Sequence, residues 1–103
     1  MELMPQEVAA QLPKLRSQDG LGEDARVVVK YFTPDGGWTW FVMEGDPAEE
    51  GDWELFGLVK SPRVPEGELG YFLLSEIRAG RGPLGLPIER DLFWRPKVLK
   101  ECR

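Results

Sequence analysis

The sequence predicts an α+β protein with a mainly antiparallel, twisted sheet of about four to five strands and short helices packed against it. Two observations lead to this class. Short runs rich in Val, Tyr, Phe and Trp recur along the chain, and Gly- and Pro-containing turns separate them. Helical patterns are confined to two short segments. A length of 103 residues suits one modest core, so residues 1–103 are interpreted as a single domain.

The first predicted element is a helix over about residues 5–12. Pro5 suits the first helical turn, and Pro13 ends the helix. Three apolar side chains share one face of this helix: Leu3, Val8 and Leu12. The polar stretch from Lys14 to Asp24 contains two glycines and is predicted to be a loop.

An antiparallel hairpin is predicted next, with strands over residues 26–33 and 38–43. The first strand contains three consecutive valines, and Pro34 begins the turn that joins it to the second. Trp38 and Trp40 point to one side of the second strand, whereas Phe41 belongs to the other side. Because both sides are apolar, this strand is expected at the centre of the sheet.

The remaining elements follow from shorter patterns. Three strands are predicted, over about residues 53–60, 68–73 and 90–94, with a short helix over 75–79 that Ser75 begins. The acidic stretch from Glu44 to Asp52 is interpreted as a solvated connection. The segment from Gly82 to Asp91 is expected to be ordered, because its two prolines restrict the unfolded chain. Three apolar side chains are expected to be buried beneath it: Leu84, Leu86 and Ile88.

Composition excludes several chemistries. The chain has no histidine and a single cysteine, Cys102, so it lacks the residues for His-assisted nucleophilic catalysis, a disulfide or a Cys-rich zinc site. No catalytic residue, cofactor or metal ligand is therefore assigned. No apolar run is long enough to span a bilayer and the start lacks a signal-peptide pattern, which favours a cytoplasmic protein without membrane contact. The absence of asparagine and the nine prolines are typical of thermophile proteins, although a GC-rich genome has the same effect.

Charge is distributed unevenly along the chain. Residues 1–77 carry 6 basic and 15 acidic side chains, whereas residues 78–103 carry 7 basic and 3 acidic ones. One interpretation is internal pairing of an acidic body with a basic C-terminal segment. The other is docking of an anionic partner on the basic side chains of that segment, namely Arg90, Arg95, Lys97, Lys100 and Arg103.

Six residues are candidates for a binding site, and each has a structural alternative. Trp38 and Trp40 form either a stacking platform for bases or part of the core. Tyr71 offers a hydroxyl to a ligand or to a neighbouring backbone group. The third candidate is a consecutive charged group that forms either a binding cluster or an ion network anchoring the last strand: Glu89, Arg90 and Asp91.

Six motifs together resemble one bacterial family. They are Leu12-Pro13-Lys14-Leu15, Val29-Lys30-Tyr31-Phe32-Thr33-Pro34, Trp38-Thr39-Trp40-Phe41 with Glu44, Phe56-Gly57-Leu58-Val59, Glu68-Leu69-Gly70-Tyr71-Phe72 and Gly85-Leu86-Pro87-Ile88-Glu89-Arg90-Asp91-Leu92. In order and spacing they are similar to the family called domain of unknown function 2958. The resemblance implies an uncharacterised accessory protein of mobile genetic elements, with a role in DNA transactions or host defence. It implies no catalytic residue.

The sequence therefore favours a non-enzymatic binding or accessory module whose partner is a protein or a nucleic acid. Two alternatives stay open. One is a Mg²⁺-dependent nucleic-acid enzyme that uses carboxylates, for which Asp52, Glu54 and Lys60 are the nearest group in the sequence. The other is an acidic mimic of DNA, which the charge of residues 1–77 would suit.

Overall fold

Five antiparallel strands form the main sheet, which confirms the predicted α+β class. The computed structural model describes all 103 residues. Its strands are β1 (Arg26–Val27), β2 (Val29–Phe32), β3 (Thr39–Pro47), β4 (Trp53–Lys60), β5 (Glu68–Leu73), β6 (Glu89–Arg90) and β7 (Lys97–Val98). Its helices are α1 (Gln6–Ala9) and α2 (Leu74–Ala79), with 3-10 turns at Asp19–Asp24, Glu49–Gly51 and Leu99–Cys102. The main sheet has the order β5-β4-β3-β2-β6, and β1 pairs with β7 in a separate ribbon.

Strand β3 lies at the centre of the sheet, as its two apolar faces predict. One face packs against the N-terminal segment and α2, and its core includes Tyr31, Val42 and Leu55. The other face packs against the C-terminal segment, and its core includes Phe41 and Leu58. Both faces are therefore covered over part of the sheet.

The predicted first strand over residues 26–33 is divided in two. Only β2 pairs with β3, and β1 pairs with β7 through Arg26 opposite Val98. The division follows Val27, and the amide of Val28 still donates to the carbonyl of Val42 at 2.8 Å. All three valines are buried, so the continuous apolar run gives no sign of the division.

The interpretation of Glu44 to Asp52 as a solvated connection is wrong for its first half. Strand β3 continues to Pro47, and the side chain of Glu44 is buried. A bulge between Val42 and Glu44 shifts the register by one residue, so that Glu44 pairs with Phe56. The true connection is short and contains the 3-10 turn Glu49–Gly51.

Several predicted boundaries also differ from the structure. Of the predicted strand over 90–94, only Arg90 lies in a strand, β6. The chain turns after it, because Asp91 accepts a hydrogen bond from the amide of Phe93 at 2.9 Å. Helix α1 spans four residues rather than the eight of about 5–12. Helix α2 begins at Leu74, since the carboxylate of Glu76 caps the amide of Leu73 at 2.7 Å. No helix combines the length and the apolar character needed to cross a membrane.

The segment from Gly82 to Asp91 follows a hydrogen-bonded path. The amide of Gly82 donates to the carbonyl of Leu86 at 2.9 Å, and the amide of Gly85 donates back to Gly82 at 2.9 Å. The expected burial beneath it is wrong for two of three side chains. Ile88 is buried, but Leu84 is 82% exposed and Leu86 is 46% exposed. The turn projects away from the core because hydrogen bonds, not apolar contacts, fix its tip.

Candidate functional site

Trp38 and Trp40 lie side by side near the start of β3. Their ring centroids are 5.8 Å apart and their planes differ by 24°, which is a stacked arrangement. Trp40 is half-buried and packs against the core, whereas Trp38 is 45% exposed. Each of the two sequence interpretations therefore fits one ring of the pair. Trp40 packs against the core, and Trp38 is accessible to solvent.

A recess of about 340 Å³ lies between the tryptophan pair and the chain after α2. We call this the tryptophan recess. Its lining includes Thr33, Trp38, Trp40, Glu76, Arg81, Pro83 and Ile88. Flat apolar rings therefore form one wall, and the Gly- and Pro-containing segment forms another.

Local hydrogen bonds position the first wall. The hydroxyl oxygen of Thr33 accepts from the amide of Trp38 at 3.0 Å, which closes the turn before β3. Within that turn, Asp35 accepts from the amides of Leu84 at 2.8 Å and Leu86 at 3.3 Å. Asp35 therefore holds the second wall at a fixed distance from the first.

Arg81 brings positive charge to the tryptophan recess. Its guanidinium donates to the carbonyls of Arg78 at 3.3 Å and Gly80 at 2.7 Å. None of the three salt bridges in the structure includes Arg81, and its side chain is exposed. The carboxylate of Glu76 is occupied in capping α2. The recess thus combines aromatic surface with a guanidinium that is in no salt bridge, and the carboxylate of Glu76 also lines it.

Tyr71 lies at a second recess, on the other face of the sheet. This recess has a volume of about 500 Å³, and Leu15, Arg16, Asp46, Glu54 and Tyr71 line it. The ring of Tyr71 packs against Phe56 with centroids 4.8 Å apart. The neighbouring Tyr71 side chain raises the pKa of Arg16 above its ordinary value. Tyr71 thus packs against Phe56 and lies beside Arg16, and it is 52% exposed.

Sequence reasoning missed the other polar groups of this second recess. Asp46 and Glu54 lie opposite each other in the β3–β4 pairing, and Arg16 faces them with a backbone φ of 71°. Finding this arrangement requires the register after the bulge, which no local pattern in the sequence reveals. The sequence around Arg16 likewise gives no indication of its positive φ.

Of the ion network proposed for Glu89, Arg90 and Asp91, one ion pair is present. Arg90 donates from Nε to the backbone carbonyl of Glu2 at 3.1 Å and is in no salt bridge. Asp91 is 3.8 Å from the ammonium group of Lys30. Arg90 diverges from its two neighbours because consecutive side chains of an extended segment point to opposite faces.

The basic C-terminal segment is partly neutralised from within. Lys100 pairs with Asp24 at 3.1 Å, and Arg103 pairs with Glu23 at 2.8 Å. These contacts agree with internal pairing for two of the five basic residues that were candidates for an anionic partner. Lys97 instead lies over the ring of Trp94, 4.5 Å from its centroid.

Of the residues considered for Mg²⁺ chemistry, Glu54 and Lys60 lie near opposite ends of β4. Asp52 accepts hydrogen bonds from the hydroxyl of Ser75 at 2.7 Å and from the amide of Trp53 at 2.8 Å. These bonds, led by the one from Ser75, lower the pKa of Asp52. No three acidic or cysteine side chains lie close enough together to hold a metal ion. Asp52 is therefore a structural residue that joins β4 to α2.

The fold is that of a small α+β sheet protein. Its tryptophan recess has an aromatic wall and a volume large enough for a small ligand. The family model described as Protein of unknown function (DUF2958) matches residues 3–99, and the chain belongs to this family. No curated protein and no solved structure matches the chain.

Proposed function

We propose that the protein is a non-enzymatic binding module that holds single-stranded nucleic acid in the tryptophan recess. The observation that supports this proposal is the stacked pair of Trp38 and Trp40, with one ring anchored and the other 45% exposed. A base stacks on such a ring whatever its identity, and each stacked base contributes about 1–3 kcal/mol. The anchored ring reduces the entropy lost when a ligand binds.

Arg81 supplies the second part of the proposed site. A nucleotide carries its phosphate next to its base, and Arg81 lines the same recess as the two rings. A guanidinium binds phosphate through paired hydrogen bonds, and that of Arg81 is in no salt bridge. A ring that stacks on the base and the Arg81 guanidinium that binds the phosphate together fit one nucleotide whose base is not stacked on its neighbouring bases.

Single strands suit this site better than duplexes. Bases inside a duplex do not offer their faces to a ring, whereas single strands do. The overall charge of −5 also disfavours strong non-specific attraction to a duplex. A single-strand binder fits the accessory role in DNA transactions of mobile elements that the sequence resemblance implies.

The Mg²⁺-dependent enzyme receives less support from the geometry, since Glu54 and Lys60 lie near opposite ends of β4 and Asp52 accepts a hydrogen bond from Ser75. The DNA mimic also receives less, because Glu23 and Asp24 are each paired with a basic side chain.

The test is binding of a short fluorescein-labelled oligothymidylate, followed by anisotropy at low salt. Trp38→Ala should weaken binding by about 1–3 kcal/mol, the contribution of one stacked base. Phe93→Ala is the matched control, because Phe93 is an aromatic side chain, 92% exposed, that does not line the recess. Equal affinity in the wild type and Trp38→Ala, with both proteins folded, would contradict the proposal.

A further inference from the structure

Three lysine side chains converge on two aromatic rings, on the face of the sheet opposite the tryptophan recess. The ammonium groups of Lys30 and Lys60 lie 5.8 Å and 5.5 Å from the centroid of the Phe41 ring. Those of Lys30 and Lys97 lie 5.9 Å and 4.5 Å from the centroid of the Trp94 ring. We call Lys30, Lys60 and Lys97 the lysine cluster.

The fold holds these lysines in place. Lys30 in β2 lies opposite Phe41 in β3, and the ammonium group of Lys60 donates to the carbonyl of Cys102 at 2.7 Å. The indole N–H of Trp94 donates to the carbonyl of Val27 at 3.2 Å, which fixes the ring between Lys30 and Lys97. All three lysines are half-buried, so their charges are less screened than those of fully exposed side chains.

Charge in the lysine cluster is not balanced. The sole salt bridge there joins Lys30 to Asp91 at 3.8 Å, and neither Lys60 nor Lys97 has a carboxylate partner. Lys100 and Arg103, close by in the sequence, each have one. Two positive charges in excess therefore lie within a few ångströms of shared aromatic rings, in a protein whose net charge is −5.

We propose that the lysine cluster is a binding site for a phosphate group. A dianionic group bound beside these ammonium groups would offset the excess charge and lower their mutual repulsion. Lysine recognises phosphate as a point charge, without the planar fork that arginine provides. The phosphate belongs either to a small anion or to the backbone of a nucleic acid. The site shares no residue with the tryptophan recess, so the inference does not depend on the proposed function.

Cys102 provides a reporter within the cluster. Burial raises the pKa of its thiol, while the charges of Lys97, Lys60 and Lys30 lower it and that of Glu101 raises it. An anion that neutralises the three lysines would remove their effect and raise the thiol pKa further. Because the thiolate is the reactive form, alkylation of this cysteine should then slow down. It is the protein's single cysteine, so the readout is unambiguous.

The experiment measures the rate of alkylation by iodoacetamide at pH 8 while inorganic pyrophosphate is added. Sodium chloride is varied to keep the ionic strength constant. Pyrophosphate should slow alkylation at least about threefold in a saturable manner. Lys97→Met should abolish this response, whereas Lys97→Arg, which keeps the charge, should retain much of it.

Lys100→Met is the matched control, since Lys100 lies on the same segment but pairs with Asp24. Loss of the response in Lys100→Met to the same degree as in Lys97→Met would overturn the proposal. So would an equal effect of chloride alone at matched ionic strength.

Oligothymidylate forms the second arm and separates the two sources of phosphate. Saturable slowing by pyrophosphate supports a site for a small anion, and slowing by the oligonucleotide alone supports a site for the nucleic-acid backbone. No slowing by either would overturn the proposal. The same titrations with Trp38→Ala distinguish this site from the tryptophan recess, because the response to pyrophosphate should persist there.

Discussion

At the scale of single residues, Glu44 shows how a charged side chain can be part of the interior. Its carboxylate accepts from the amide of Arg16 at 2.7 Å and from that of Gln18 at 3.0 Å. A carboxylate held by two backbone amides is a charge-assisted arrangement that offsets the cost of burial. Glu44 therefore fastens the loop after α1 to the central strand.

Replacement of this carboxylate tests its role. Glu44→Gln should lower the free energy of unfolding by about 1–3 kcal/mol, because an amide group offers one acceptor oxygen to two donors. Urea denaturation measures the change. Glu49→Gln, an exposed change in the connection after β3, should be close to neutral. Similar losses in the two variants would show that Glu44 has no special structural role.

The partner of the Arg90 guanidinium determines how much replacement of this residue should cost. A carboxylate partner would make Arg90→Ala costly, but the guanidinium binds the carbonyl of Glu2 instead. The loss should be that of one hydrogen bond, about 0.5–1.5 kcal/mol. Thermal and urea unfolding of Arg90→Ala measure it, and a loss of several kcal/mol would reveal an ion pair that the structure lacks.

At the scale of elements, the turn containing Asp35 and the segment after α2 act as one unit. Besides its bonds to Leu84 and Leu86, the carboxylate of Asp35 has a buried oxygen, Oδ1, without a hydrogen-bond partner. A Cβ atom on Gly82 would overlap this carboxylate. The close packing of Gly82 against Asp35 thus determines the position of the second wall of the tryptophan recess.

Gly82→Ala should displace that wall. Overpacking of this kind costs about 1–3 kcal/mol, and the amides of Leu84 and Leu86 should exchange hydrogen faster once Asp35 is pushed away. Gly20→Ala is the control, because a Cβ atom there meets nothing within 4 Å. Unchanged exchange at both amides in Gly82→Ala would contradict the role given to Asp35.

Elements with a strong local pattern could be predicted from the sequence. Strands β4 and β5 occupy the predicted residues because Gly- and Pro-containing turns bound β4 on both sides and precede β5. Strand β7 has two residues and follows Pro96, so no periodicity could indicate it. The tryptophan pair was visible as an i, i+2 pattern, whereas the lysine cluster depends on Trp94 lying between distant strands.

At the scale of the whole molecule, the chain ends are held against the sheet. Tyr31 is fully buried, and its hydroxyl donates to the carbonyl of Leu3. At the other end, Lys100 and Arg103 reach Asp24 and Glu23. These surface pairs each contribute at most about 1 kcal/mol, so the buried tyrosine is the stronger anchor.

Tyr31 makes the free energy of unfolding depend on pH in the alkaline range. Burial raises the pKa of its hydroxyl above the ordinary value, and the charges of Arg90 and Arg78 lower it by less. The folded state thus disfavours the phenolate, and stability is fully present below the unfolded pKa of about 10 and falls as pH rises above it.

Comparison of the wild type with Tyr31→Phe isolates this effect. The variant should lose about 1–3 kcal/mol at neutral pH, because the buried carbonyl of Leu3 loses its donor. Above pH 10 the difference between the two proteins should shrink. Urea unfolding across the pH range measures both, and a constant difference would mean that Tyr31 ionises as easily folded as unfolded.

The bulge at Met43 has a consequence for how this protein tolerates changes in chain length. Val42 pairs with Gly57 and Glu44 with Phe56, so Met43 is the one residue of this stretch without an opposite partner. Deleting it would leave every later pair between the two strands intact. It would, however, remove the carbonyl that Gln18 binds at 3.0 Å. Relatives that lack a residue here should therefore also differ at the position of Gln18, a paired change that an alignment of the family would reveal.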